Sequence, residues 1–269
     1  MPGMDLGLTG RACIVTGASS GIGAATARAL CAEGAHVLLV ARRAEPLAEA
    51  ADEARAAGGR AETLTADVTD PEAGEQVVRA CEERFGEAYA LVNAAGTSAV
   101  RRLEELTDAD WQLQWDLHVM GPMRLMRAAA PRMAGRGDGR IVNVASSAGK
   151  RPSARLDPAY SVTKAAELSL SRTFADLHAR DGVLVNAVAP GQVETSLWTA
   201  PGGMADQLAE RQGIDREQAL AAAAERIPLG RMGKPGEIAA VIVFLCSPQA
   251  SNVTGAAWSV DGGTFQSII

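Results

Sequence analysis

Tyr160 and Lys164 stand four residues apart, a spacing that puts both side chains on one face of a helix. A phenol beside an ammonium can act as acid or base, because the cation's field lowers the phenol's pKa from about 10 toward neutrality. The chain holds two tyrosines, and only three of its 26 basic residues are lysines. A chain this rich in arginine that still places lysine one turn after tyrosine uses a compact cation where a planar fork would serve differently. The same spacing also fits a partly buried tyrosine and a solvated lysine on an amphipathic helix. Fourteen residues before Tyr160 come two hydroxyls, Ser146 and Ser147. Neighbours at a strand end point to opposite sides, so one of the two is expected to face a cleft. The other chemically loaded stretch is Thr16 to Gly23, TGASSGIG. Its glycines Gly17, Gly21 and Gly23 leave the backbone open, so a pyrophosphate can approach the N–H groups and the positive end of a following helix.

These residues need elements to position them. The apolar run Ala12–Val15 precedes the glycine turn, and Ala24, Ala25, Ala27 and Leu30 follow it, which reads as strand, turn and helix. Further strands are expected at His36–Val40, Ala61–Ala66, Ala90–Asn93, Arg140–Ala145, Leu184–Val188 and Ala256–Val260, after the first at Ala12–Thr16, with helices between them. Such alternation predicts an α/β fold with a parallel sheet covered on both faces. No linker long enough to divide the chain is visible, so residues 1–269 are expected to form one domain. At the end of the second strand the chain reads Ala41, Arg42, Arg43. An acidic side chain there would accept from a ribose 2′-hydroxyl and repel a 2′-phosphate, whereas a guanidinium pairs with phosphate.

The ordered set of motifs resembles the short-chain dehydrogenase/reductase family nearly end to end. After the glycine loop come Asp67 and Val68, Asn93 to Gly96, Asn143 to Ser146, Tyr160 and Lys164, Pro190, Gly191 and Thr195, Pro228 to Arg231, and Asp261 to Gly263. The resemblance implies a Rossmann fold, a doubly wound parallel sheet of seven strands with helices on both faces. It implies hydride transfer between a nicotinamide and a ketone or secondary alcohol. Tyr160 would supply the proton, Ser146 orient the oxygen, and Lys164 lower the tyrosine pKa and bond the nicotinamide ribose. The pattern Asn143-x-x-Ser146-x-x-Gly149 selects Ser146, leaving Ser147 as a strand cap. The loop residues Gly17, Ser19, Ser20, Gly21, Ile22 and Gly23 would hold the cofactor. Arg42, with Arg43 beside it, matches the arginine that clamps the 2′-phosphate, so NADP(H) is the expected cofactor. Asp67 and Val68 would meet the adenine. Asn93, Ala94, Ala95 and Gly96 would close the nucleotide site, although the asparagine also suits a tie between strands. Pro190, Gly191, Val193 and Thr195 would approach the nicotinamide. Relatives carry asparagine where this chain has His118, three residues before Gly121. Either the imidazole serves a proton relay, titrating near pH 6.5 and pushed down somewhat by Lys164, or it packs at a subunit contact. A lid is expected over about 196–226, with Trp198, Met204 and Leu208 as its apolar inner face and Asp215 and Gln218 in capping-box spacing. Arg101, Arg102, Lys150, Arg151 and Arg155 are expected near its mouth. Relatives assemble through helices matching Asp110–Met133 and Pro158–Arg180, which implies a homotetramer.

Composition narrows the alternatives. A net charge of −6 argues against a nucleic-acid partner. The longest apolar run, Ala239 to Cys246, is far short of the roughly 20 residues of a membrane span. Met1 to Arg11 shows no targeting pattern, so a cytoplasmic enzyme is expected. Cys13, Cys31, Cys81 and Cys246 have no metal-ligand spacing and are expected to be free thiols, with no metal bound. The small carbonyl or alcohol substrate is not legible. A 3-oxoacyl-carrier-protein reductase is the alternative, against which stands Asp181, where such enzymes tend to carry a basic docking residue. A nucleotide-binding regulator without catalysis is the alternative from another class.

Overall fold

The computed structural model describes residues 5–152 and 157–266. Seven strands, β1 (Ala12–Thr16), β2 (His36–Ala41), β3 (Arg60–Thr65), β4 (Ala88–Asn93), β5 (Gly139–Val144), β6 (Val183–Pro190) and β7 (Ala257–Val260), form one sheet in the order β3-β2-β1-β4-β5-β6-β7. Every pairing is parallel. All seven expected strands are present, with ends displaced by no more than two residues. Between them run α1 (Gly21–Ala32), α2 (Ala44–Ala56), α3 (Ala73–Phe85), α4 (Asp108–Trp115), α5 (Gly121–Ala134), α6 (Ser147–Lys150) and α7 (Pro158–His178). After β6 come α8 (Ser196–Thr199), α9 (Met204–Gln212), α10 (Arg216–Glu225) and α11 (Pro235–Cys246).

Strand alternation sorts the side chains into two cores. Cys13 and Val15 of β1 join Ala27 and Leu30 of α1, Leu47 of α2 and Ile242 of α11. Ala12 and Ile14 point the other way, into a core with Val77 of α3, Met126 of α5 and Ala175 of α7. The four cysteines are free and fully buried in these cores. Burial pushes the Cys31 thiol up to about 11 and those of Cys81 and Cys246 up to about 12. No helix among the described residues is long and apolar enough to cross a membrane.

The strand order reverses between β1 and β4, which opens a crevice at the carboxyl ends of the strands, where open α/β sheets bind ligands. Gly17 makes that crevice possible: its φ is 64°, and a Cβ there would fall 2.6 Å from Ala94 O. The loop after β1 therefore sits directly on the loop after β4. Thr16 Oγ1 completes the junction by accepting from the N–H groups of Ala94 and Ala95 at 3.1 and 3.3 Å.

Candidate active site

The site is built on the start of α7. Asp157, fully buried, accepts from Ala159 N at 2.9 Å and Tyr160 N at 3.2 Å, and Pro158 opens the first turn. Arg101 grips the same carboxylate at 2.8 Å and Asp110 at 2.5 Å, tying the loop after β4 to the helix cap. The helix then presents Tyr160 and Lys164 one turn apart, with Lys164 Nζ 5.8 Å from the Tyr160 ring centre. Lys164 is almost wholly buried and donates to Val144 O at 2.8 Å and to Glu167 Oε2 at 2.7 Å. Ser146 caps α6, its Oγ accepting from Ala148 N at 3.1 Å, so the hydroxyl proton is left to donate. A Cβ at Gly149 would lie 2.7 Å from the Lys164 carbonyl, so glycine lets α6 press against α7 at that point.

The expected choice between Ser146 and Ser147 does not hold as argued. The strand ends at Val144 and Ser147 is the first residue of α6, so strand alternation no longer applies. Both serines line the cleft; Ser146 caps α6, and Ser147 lies inside that helix and not at a strand end.

His118 lies in a π-helical turn, Asp116–Met120, between α4 and α5. It is fully buried and absent from the cleft wall, standing behind Tyr160 with ring centres 5.3 Å apart and edge-on. Thr97 N donates to its Nε2 at 3.3 Å, so Nε2 is unprotonated. Nδ1 lies 3.1 Å from Thr163 Oγ1, whose own proton has Ala159 O at 2.9 Å, which makes Nδ1–H the donor. The ring is thus neutral with both nitrogens engaged. Burial first and Lys164 second hold its pKa well below 6.5. This corrects the expected titration near 6.5: desolvation, invisible in the sequence, adds to the effect of the neighbouring cation and is the larger of the two.

On the nucleotide side, α1 starts at Ser20 and Gly21 with no side-chain cap and no acid in its first turn, so its N–H groups and positive end are free for an anion. A Cβ at Gly23 would meet Gly17 O at 2.4 Å, and the tight loop through Ser19 follows from that contact. These features fit a dinucleotide pyrophosphate. Arg42 is exposed and reaches Asp67 at 3.8 Å; desolvation, the largest single effect on the Asp67 carboxyl, pushes it up, but the Thr69 N–H and hydroxyl and Arg42 together outweigh it and hold the carboxyl below its usual range. Arg43 is exposed at the start of α2, and Val68 is buried against Gly121. Asn93 points into the sheet, donating to Asn143 Oδ1 at 2.8 Å across β4 and β5, so its side chain is a strand tie.

A cleft of about 750 Å³ gathers Ile22, Ala94, Gly96, Ser146, Tyr160 and Lys164. Pro190, Gly191, Val193 and Thr195 form its far side. Gly17, Arg42, Arg43, Asp67, Asn93, Ala95 and His118 are not on its wall. Trp198, Met204 and Leu208 are on it, and Trp198 and Met204 also pack with Val100 and Ile227. The capping box of Asp215 and Gln218 is formed. Of the basic residues expected near the mouth, Arg101 is spent on Asp157 and Asp110, Lys150 bonds Ala257 O and Ser259 Oγ, and Arg102 is exposed away from the cleft wall. Arg151 does line the cleft, and Arg155 lies outside the described residues. Thr97, Ser98, Gln192 and Arg226 line it without any sequence signal. Glu167 did carry one, its helical spacing from Lys164.

A family model described as enoyl-(acyl carrier protein) reductase matches residues 17–264. The short-chain reductase protein NovJ of Streptomyces niveus is 39% identical over 93% of this chain and 92% of its own length. The 3-oxoacyl-[acyl-carrier-protein] reductase FabG of Thermotoga maritima is 35% identical over 95% and 98%. The crystal structure of L-sorbose reductase from Gluconobacter frateurii, complexed with NADPH and L-sorbose, superposes with a TM-score of 0.91 at 38% identity, covering 98% of this chain and all of that one.

Proposed function

The chain belongs to the short-chain dehydrogenase/reductase family, and from that premise we propose that it is an NADP(H)-dependent oxidoreductase of a ketone and its secondary alcohol. The observation that carries the reading is the convergence of Ser146, Tyr160 and Lys164 on one cleft that adjoins the uncapped start of α1. The cofactor, when bound, supplies or accepts the hydride at its nicotinamide. Gly17, Gly21 and Gly23 would hold its pyrophosphate, Arg42 its 2′-phosphate, and Val193 and Thr195 the nicotinamide side. Ser146 donates its free hydroxyl proton to the substrate oxygen. Tyr160 gives that oxygen a proton in reduction and takes it back in oxidation, and the Lys164 cation stabilises the phenolate between the two. Trp198, Met204 and Leu208 cover the cleft as the inner face of a lid over 196–226 and exclude water from it.

NADPH in the relative's crystal supports the cofactor assignment, as does the missing acid at Ala41. The likeness to FabG supports a second reading, 3-oxoacyl thioester reduction. Asp181, whose carboxylate lies 3.7 Å from His178 Nδ1, leaves an acid where a carrier protein would need a base. The test is NADPH oxidation scanned over keto sugars, diketones, 3-oxoacyl thioesters and steroids. Turnover of at least one class is expected, with Tyr160→Phe losing nearly all of it while cofactor affinity stays. Tyr160→Phe at wild-type rate would move the acid elsewhere.

A further inference from the structure

Glu167 sits three residues beyond Lys164 on α7, and its carboxylate meets Nζ at 2.7 Å. The acid is 1% exposed and the lysine 3%. Taking both charges out of water is costly, and an apolar side chain of similar volume would fill the same place against the sheet without that cost. Packing alone therefore gives no reason for an acid here. The ammonium has three donors. One goes to Glu167 and one to Val144 O, which leaves one for the cleft that Lys164 lines.

Lys164 is the sole ion-pair partner of Glu167 among the described residues. The elements packed on α7 bring one other titratable group to this pocket, the neutral His118 of the π-helical turn. Their remaining charges are engaged elsewhere: Lys150 of α6 with Ala257 O, Asp116 with Gln112, Asp110 with Arg101, Arg132 with Glu75, Arg124 with Thr69 O and Arg140 with Asp138. Asp108 of α4, Arg127 of α5, and Arg180 and Asp181 in the turn after α7 are exposed to solvent.

We propose that Glu167 is a positioning residue for proton transfer at Tyr160: as the buried counter-ion of Lys164 it fixes the direction of the ammonium and sets how much of its positive field reaches the phenol. Burial pushes the Glu167 carboxyl upward and Lys164 pulls it back, burial being the larger effect. Removing the negative charge while keeping the shape exposes Tyr160 to the full cation.

This rests on reading Tyr160 and Lys164 as the proton-handling pair, but its test needs no substrate, so the two fail separately. The chain's other tyrosine, Tyr89, is pushed up to about 12 by burial, and the tyrosinate absorbance rise that disappears in Tyr160→Phe is the one assigned to Tyr160. In Glu167→Gln that rise is expected about one pH unit below wild type, while Glu167→Asp, which keeps the charge, titrates close to wild type. Melting curves establish that each variant is folded. An unmoved rise in Glu167→Gln, an equal shift in Glu167→Asp, or loss of folding in both variants would overturn the proposal.

Discussion

Arg42 leaves β2 with two thirds of its side chain in water and only a distant carboxylate, Asp67 at 3.8 Å, to hold it. Such a pair is weak, and a dianionic phosphate competes with it easily. Arg42→Ala is expected to cost about 1.5–3 kcal/mol of NADPH affinity and to leave NADH binding unchanged, read by fluorescence titration of both. Equal wild-type dissociation constants for the two cofactors would refute the assignment. His118 makes the opposite kind of prediction, because it is fully enclosed. Its folded pKa lies well below 6.5, so under acid the unfolded chain binds a proton that the folded chain does not. Stability therefore falls as pH drops below about 6.5, by up to about 1.4 kcal/mol per pH unit. Glu167 titrates with the opposite sign in part of that window, its raised pKa favouring the folded state at lower pH. The difference between wild type and His118→Asn isolates the histidine: urea unfolding at pH 5.5 and 6.5 should show the wild type losing more. Identical losses would mean that the folded imidazole protonates freely.

At the scale of elements, α7 is anchored at its first turn by a carboxylate that it shares with the loop after β4. Arg101→Met strips the cation from a fully buried Asp157 and is expected to cost about 3 kcal/mol in urea unfolding, with a fall in turnover because Tyr160 loses its fixed helix start. A cost under about 0.5 kcal/mol would assign the clamp to the surface. This cluster also marks where sequence reading stops. The strands and the glycine loop were legible because period and spacing are local: Ala12–Thr16 and Gly17–Gly23 announce themselves within a dozen residues. Tyr160 and Lys164 were legible for the same reason. Arg101 was not, since Asp157 is 56 residues away and only the folded chain brings them together. Charge in a loop reads as solvent-facing until its partner is known. The burial of His118 and Glu167 was hidden likewise, because a helix shows its faces only against neighbours.

For the whole molecule, the exposed apolar side chains matter most. Leu113 and Trp115 of α4 and Val162 of α7 remain 51, 41 and 47% exposed. These helices lie within the ranges that resemble assembly surfaces in relatives, and we propose a homotetramer closed through them. Light scattering is expected to give four chains, with Trp115→Asp lowering the mass; a concentration-independent monomer would refute it. The buried cysteines carry another consequence, one of time. Each of the four is wholly enclosed, with Cys13, Cys31 and Cys246 in the core on one face of the sheet and Cys81 in the core on the other. An alkylating reagent finds no thiolate until the fold opens, so the pace of labelling is the pace of opening, not of thiol chemistry. Whether Cys81 or the other three are labelled first then dates which side of the sheet lets go of its helices earlier.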